Sequence, residues 1–408
     1  MSLRRFTILF ASVLALAFGG AVTLNYAVDP FDLYITGGRP SPPVRRETGS
    51  HGRLHKAYAL INLRPSVVAL GASRTEAAIS MTHPGWSGSA DSRYNASVTA
   101  ANLREIWALL QLAASGGKLH QALIGLEFYS FNAYVPNRPD FDAAVMAGPP
   151  RTILGIDPGK ARYYCSFDAL MSSARTIANR SSVTQFLPDG RVNPLALEEV
   201  YRGFAGQKSA FMQTDREALQ LYYLPPPRRI YRFADEKGFS SFDLFRQMLE
   251  FARERHVDLR LYISPAHARS TEVLHMLGLS GRFEEWQREL VRTIEAEAAS
   301  SGGPAFPLWD FSGYSSVSAE AMPPDDPNGP RSRWYWESSH YRAELGDLVL
   351  DRIFGHQEPG RTVPPDFGVR LASGNIDEVQ RRAREGQAAY RAAHAAEMAE
   401  MERIPHGR

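Results

Sequence analysis

A three-layer α/β/α architecture on a mainly parallel sheet is what this sequence predicts, and three observations predict it. Val67 to Leu70 has no helical period and reads as a strand covered on both faces, and Gln121 to Phe128, Asp258 to Ile263 and Ala305 to Phe311 read as further strands. Between them lie segments whose apolar residues recur three and four apart, which read as amphipathic helices. Their repeated alternation implies crossover connections, and so a parallel sheet of about five strands with helices on both faces.

In chain order, Arg4-Arg5 precede an uncharged apolar run of 19 residues, Phe6 to Leu24. That approaches the roughly 20 residues a helix needs to cross a bilayer. The basic side stays cytoplasmic, with Asp29 and Asp32 beyond the far side. A cleaved signal peptide is the alternative, but its apolar region is usually shorter and ends in a small-x-small site, and no persuasive site precedes Asn25, so residues 1–28 are expected to be a retained anchor. Residues 29–60 read as a linker, because 38–54 are rich in Gly, Pro, Arg and Ser. Within it, His51 and His55 are spaced i, i+4, as a metal pair on a helix would be, with no sulfur ligand beside them. Hydrogen-bonded or solvated histidines are expected there, and no metal.

Residues 61–356 carry the α/β domain. After Val67–Leu70, Arg93 to Asn95 ends a short strand, and Thr99 is placed to cap a helix through Gln111 with Leu103, Ile106, Trp107 and Leu110 on one face. Gly116-Gly117 stops it. Ser241 is placed to cap a helix carrying Phe242, Leu244, Phe245, Met248 and Phe251. A further helix presents Phe283, Trp286, Leu290 and Ile294, and Arg342 to Phe354 forms the last helix of the domain. Between about 130 and 235 the alternation is lost. Tyrosines and phenylalanines are scattered there among Pro, Arg and Gly, as expected of an insertion lying over the sheet's carboxyl edge and shaping a pocket. Residues 357–408 turn Ala-, Arg- and Glu-rich, and 376–402 read as an exposed helix without a continuous apolar face, a solvated or partner-binding tail.

Composition narrows the function. Apolar content of 44% and charged content of 22% are those of a globular chain. The 46 basic and 44 acidic residues leave a net charge of +2, and no nucleic-acid motif accompanies it. The single Cys165 rules out an intrachain disulfide and a cysteine metal cluster.

Chemistry enters at Gly71-Ala72-Ser73, where β-branched residues stop at small ones and the chain turns. Ser73 is delivered to the sheet's carboxyl edge, where ligands bind in open α/β sheets and a following helix start favours developing negative charge. Far along the chain stands Glu337-Ser338-Ser339-His340. A carboxylate three residues before a histidine can hold the imidazole Nδ1–H and leave Nε2 to take a proton from a serine. Ser73, His340 and Glu337 are therefore the candidate triad. His267, after the strand ending at Ile263, is the rival base, and Asp310 the rival carboxylate.

Gly-x-Ser near the start and acidic-x-x-His near the end resemble the SGNH/GDSL hydrolase superfamily, over roughly residues 60 to 356. Within it the chain is most similar to membrane-anchored envelope acyl-transfer proteins of the teichoic-acid D-alanine-transfer and alginate O-acetylation type. The resemblance implies a flavodoxin-like sheet and serine-dependent O-acyl transfer or ester hydrolysis, without a cofactor. Its substrate would be a cell-envelope polysaccharide or a small acyl ester, with an integral-membrane acyl-donor partner. It also implies a single-pass protein of a bacterial inner membrane, with its bulk periplasmic.

Three positions depart from the superfamily's pattern. Tyr94-Asn95-Ala96-Ser97 stands for Asn-x-Gly, which leaves the Ser97 amide, with that of Ser73, as the expected oxyanion donors. Gly125-Leu126-Glu127-Phe128 stands for Gly-x-Asn-Asp, and an ionised Glu127 cannot donate as an asparagine does. Glu337 stands for the usual Asp. Arg74, Asn95 and Glu127 are carried as candidate substrate contacts, Arg74 being equally placed to pair with Glu76 or Glu127. A catalytically silent domain of the same kind, binding polysaccharide or holding an assembly together, is the alternative these departures leave open.

Overall fold

The structure, a computed structural model, describes residues 2–34, 47–148, 157–179, 183–326 and 328–404. One mixed sheet is built from β1 (Val67–Leu70), β2 (Arg93–Asn95), β3 (Gln121–Leu126), β4 (Asp258–Ile263), β5 (Leu308–Asp310) and β6 (Val369–Leu371), in the order β2-β1-β3-β4-β5-β6. The first five are parallel, as the sequence predicts, and β6 runs antiparallel to β5. Only Leu371 of β6 is buried, so no apolar run marks this strand within the expected tail.

Fifteen α-helices accompany the sheet among the described residues. They begin with α1 (Leu3–Val28), α2 (Gly52–Leu63), α3 (Ser73–Ala78) and α4 (Leu103–Ser115). The insertion holds α5 (Ala143–Met146), α6 (Pro158–Tyr164), α7 (Phe167–Ala178), α8 (Pro194–Arg202) and α9 (Gln207–Glu217). There follow α10 (Ser241–Glu254), α11 (Ala268–Met276), α12 (Ser280–Ser301), α13 (Ala343–Phe354), α14 (Ile376–Ala393) and α15 (Ala395–Glu402).

Strand pleating divides the core between the two faces. Val68 and Leu70 of β1 join Leu109, Leu249, Trp286 and Leu290, from α4, α10 and α12. Val67 and Ala69 turn the other way, into a cluster with Leu345, Leu348 and Val349 of α13. β1 is thus apolar on both sides, which is why it lacks alternation in the sequence.

The stretch expected to be a linker differs from that expectation. Residues 38–46 lie outside the described residues, but α2 is a core helix that buries Leu54, Tyr58 and Leu60. Its polar residues find distant partners: Arg53 meets Glu105 at 2.8 Å and Asp140 at 3.2 Å, and Lys56 donates to Asn95 O at 2.9 Å. Composition reads as linker there because each partner is remote in the chain.

The tail is likewise docked rather than solvated. Tyr390, Met398, Met401 and Ile404 are buried in the main cluster, and Arg391 pairs with the buried Glu272 at 2.7 Å. Polar contacts supply much of this interface, so α14 shows no apolar stripe. Two helix starts shift slightly. Asn102, not Thr99, caps α4 through a capping box with Glu105, while Thr99 donates to Glu76. Ser240 caps α10, and Ser241 donates to Phe131 O. Helix α1, 26 residues long, is long and apolar enough to cross a membrane, and a signal sequence passes the same test.

Candidate active site

Ser73 opens α3 directly beyond the carboxyl end of β1. The turn between them depends on Gly71, whose φ of +153° and contact with Thr75 leave no room for a side chain. Below the turn, Thr75 Oγ1 meets Tyr262 Oη at 2.9 Å, and Tyr262 Oη lies 3.3 Å from Tyr341 Oη. This buried chain of hydroxyls ties the serine's helix, through β4, to the residue after His340. Asn95 secures the far end of α3, its Nδ2 donating to Thr75 O at 2.9 Å and Ile79 O at 3.0 Å.

The second strip is a tight reversal in which Trp336 N donates to His340 O at 2.9 Å and Tyr335 bridges Tyr341. The reversal wraps around the Glu337 carboxylate, which accepts from the amides of Ser339 at 2.7 Å and His340 at 2.9 Å. His340 Nδ1 hydrogen-bonds Glu337 Oε1, and its Nε2 lies 2.7 Å from Ser73 Oγ. With Nδ1 carrying the hydrogen toward the carboxylate, Nε2 is the acceptor for the serine proton. Burial alone would push the Glu337 carboxyl up, but the facing imidazole and the hydrogen bonds from His340 and Ser339 hold it below the ordinary carboxylate range. The three residues meet as a serine–histidine–carboxylate array.

A cavity of about 210 Å³ opens over this array, and the insertion forms much of its wall through Tyr201, Phe204, Thr214, Tyr222 and Tyr223. Thr214 carries no signal in the sequence, and the others none that singles them out beyond being aromatic within the insertion. Tyr201 also stacks on Trp336, ring centroids 5.3 Å apart, and reaches toward Glu337 at 3.4 Å. On the floor, Arg74 pairs with Glu127 at 2.7 Å and donates to Ser339 Oγ at 3.0 Å. Burial favours the neutral guanidine, but the charge of adjacent Glu127, together with Tyr223, Tyr129 and Glu337 around the cavity, more than offsets this and raises the pKa of Arg74. A second cavity of about 230 Å³ shares Tyr201 and Phe204 and is edged by Arg202, Arg331 and Arg342.

The remaining sequence candidates occupy other places. His267 is fully buried, with Nε2 2.6 Å from Glu320 O and Nδ1 accepting from Arg269 N at the start of α11. Both ring nitrogens are engaged by backbone, so it is a helix cap and not the base. Asp310 accepts from Gln287 Nε2 at 2.7 Å and Ser312 N at 2.8 Å, and lines a separate cavity of about 550 Å³. It orients no histidine. The Ser97 amide donates to Asn95 Oδ1 at 3.1 Å within a fully buried residue, which removes it as an oxyanion donor. Asn95 itself is buried and positions α3 rather than touching the cavity. Glu127 lines the cavity and fixes Arg74 there, so Arg74 pairs with it and not with Glu76.

Among the described residues, no group of three or more His, Cys, Asp or Glu is placed to hold a metal ion. Compared with descriptions of protein families, with curated proteins and with solved structures, the chain finds no match. The functional reading therefore stands on the site's own geometry.

Proposed function

We propose that the protein is a serine O-acyltransferase or esterase acting on a cell-envelope carbohydrate ester. The observation that carries this is Ser73 Oγ at 2.7 Å from His340 Nε2, with Glu337 on the other ring nitrogen. The sheet supports the SGNH-like, flavodoxin-like reading as well. Its parallel strands follow the order 2-1-3-4-5, and Ser73 stands at the β1/β3 switch point where such folds bind ligands.

In the first half-reaction Ser73 Oγ attacks the acyl carbonyl carbon as its proton passes to His340 Nε2. The tetrahedral adduct collapses, the ester C–O bond breaks, and the leaving alkoxide takes that proton. The acyl group now sits on Ser73. In the second half-reaction water or a sugar hydroxyl gives its proton to His340 and attacks the acyl carbon, and Ser73 Oγ leaves with the proton. Glu337 keeps the imidazole in one tautomer and stabilises its charged form. With the Ser97 amide occupied, the oxyanion is assigned to the first-turn amides of Ser73 and Arg74. No side chain caps α3 at that end, and helical geometry leaves these amides without intrahelical acceptors. The Arg74 guanidinium lines the same cavity, and is assigned the place of the asparagine amide that Glu127 cannot supply.

In this reading α1 is a retained anchor, holding the domain on the periplasmic side of a bacterial inner membrane beside an integral-membrane acyl donor. Aromatic residues over the cavity suit sugar rings. The test is a fluorophosphonate probe, which traps activated serines, followed by peptide mapping and an acetyl-ester assay. Labelling of Ser73, abolished in His340→Ala, together with turnover is the expected result. Neither labelling nor turnover in the folded protein would leave the silent carbohydrate-binding reading, which the occupied Ser97 amide favours.

A further inference from the structure

Helix α7 is amphipathic in the wrong sense for a water-facing helix. Its small and hydroxylated residues, Ala169, Ser172, Ser173 and Thr176, are buried. Its large apolar residues face outward, with Phe167 74% exposed, Met171 40% and Ile177 61%. Among the described residues, no contact accounts for an outward stripe of this kind on a 12-residue helix.

Its position supplies the missing neighbour. The buried face of α7 packs against α1, where Asn25 is buried and Ala21, Val22 and Val28 are partly covered, while the preceding turns of α1 are bare. The contact is polar and specific, with Ser173 Oγ donating to Asn25 Oδ1 at 2.9 Å and Asn25 Nδ2 to Tyr164 O at 2.8 Å. The apolar run Phe6–Leu24 measures about 28 Å as a helix, close to the roughly 30 Å hydrocarbon core of a bilayer. A helix clamped to residues 21–28 therefore stands at the far rim of that core. Tyr26, Tyr34 and Tyr164 cluster at the same level, ring centroids 5.1 to 5.8 Å apart, as aromatic residues do at membrane interfaces.

The charges of α7 point to an apolar attraction rather than an electrostatic one. Asp168 is engaged by His51 at 2.8 Å, and Arg175 lies 3.8 Å from Glu47. Both are drawn toward the protein's own 3₁₀ turn at Glu47–His51, leaving Phe167, Met171 and Ile177 to face outward.

We infer that α7 lies in the plane of the bilayer interface beside α1, its Phe167, Met171 and Ile177 face inserted at the headgroup–acyl boundary. This rests on the reading of α1 as a retained span. Two attachments, one crossing and one lying flat, would fix the orientation of the catalytic domain over the membrane. A single crossing helix would leave it free to swivel.

The full chain suits a site-directed spin-label test, because Cys165 is its only cysteine and is exposed. In a Cys165→Ser background reconstituted in phosphatidylcholine nanodiscs, single nitroxides are placed by Phe10→Cys, Met171→Cys, Ile177→Cys and Arg382→Cys. Arg382 is 72% exposed on α14 and serves as the aqueous control. Phe10, Met171 and Ile177 should collide more with oxygen than with a water-soluble nickel chelate, with the order reversed at Arg382. Because phosphatidylcholine carries no net charge, the result should be the same in low and high salt. Lipid exposure at Phe10 with water exposure at Met171 and Ile177 would overturn the inference and leave the anchor standing. Water exposure at Phe10 would remove the anchor reading and the inference with it. Labels at 171 and 177 shielded from both reagents would mean that protein, not lipid, covers the face, and would overturn it too.

Discussion

His340 and His267 both stand at the carboxyl edge of the same sheet, and sequence treats them as rivals, yet the fold makes opposite uses of them. The His340 ring is 28% exposed, with Nδ1 on a carboxylate and Nε2 on a serine hydroxyl beneath an open cavity. His267 is fully enclosed, with one nitrogen on Glu320 O and the other on the Arg269 amide. Burial outweighs the hydrogen bond to Glu320 O and lowers His267 to about 4, so it stays neutral near neutral pH. A general base needs a lone pair directed at a reactant and an anion behind it, and only His340 has both. His267 still serves the site indirectly, since its amide donates to Ser338 O and steadies the loop that carries Glu337.

The sharpest way to break the comparison is at the reactant itself. Ser73→Ala should lower acetyl-ester kcat by about 10⁶-fold, the order seen when a triad nucleophile is lost. Urea unfolding should change by no more than about 0.5 kcal/mol. Retained turnover would remove Ser73, and with it the meaning given to the His340 contact.

Next comes the carboxylate behind the base. Glu337→Gln should cost roughly 10⁴-fold in kcat, because an amide can hold the wrong tautomer and cannot stabilise the imidazolium. Asp310→Asn, whose carboxylate faces Gln287 and Ser312, should leave kcat within about threefold. If the two outcomes exchange places, Asp310 is the true partner.

A smaller effect is expected from the residue that holds the serine's helix. Asn95→Ala strips partners from Thr75 O, Ile79 O and the Ser97 amide, all buried, at about 1–3 kcal/mol in urea unfolding. The kcat should fall about tenfold as α3 loosens. A loss of stability with kcat unchanged would show that α3 is positioned without it.

The last prediction changes kcat least. His267→Asn keeps a side chain able to cap α11 and removes a titrating ring, so kcat should stay within a few-fold. The folded pKa of His267, about 4, lies below the ordinary value of 6.5, so the unfolded chain binds more protons between those limits. Stability contributed by the neutral ring is full above about pH 6.5 and is lost as pH falls toward 4, by an amount on the order of 3 kcal/mol. The variant should show a flatter decline over that window in pH-dependent unfolding. An identical slope would mean His267 does not titrate as its enclosure requires.

Legibility followed the distance between partners. The strands around Ser73 and the Glu337-x-x-His340 spacing could be read because each lies within a few residues and obeys backbone geometry. The pocket wall could be placed only as a region, since Tyr201 and Tyr222 reach the serine through an insertion whose path no local rule sets. The docked tail and the core helix α2 are not legible in the sequence for one reason. Their interfaces use polar residues such as Arg391, Arg53 and Lys56, whose partners Glu272, Glu105 and the Asn95 carbonyl are remote.

By itself, then, the sequence determined the strand–helix alternation, a membrane-length apolar helix at the start, and two short motifs with complementary groups. Those features arise from periodicity and short spacings, which hold wherever the chain goes. Only the tertiary structure decided which of two histidines meets the serine, which carboxylate stands behind it, and that the Ser97 amide is already taken by Asn95. These outcomes depend on burial and on contacts between residues up to 267 positions apart, as for Ser73 and His340. A histidine's environment sets its protonation and its partners, and that environment exists only once the sheet and its insertion have closed around it.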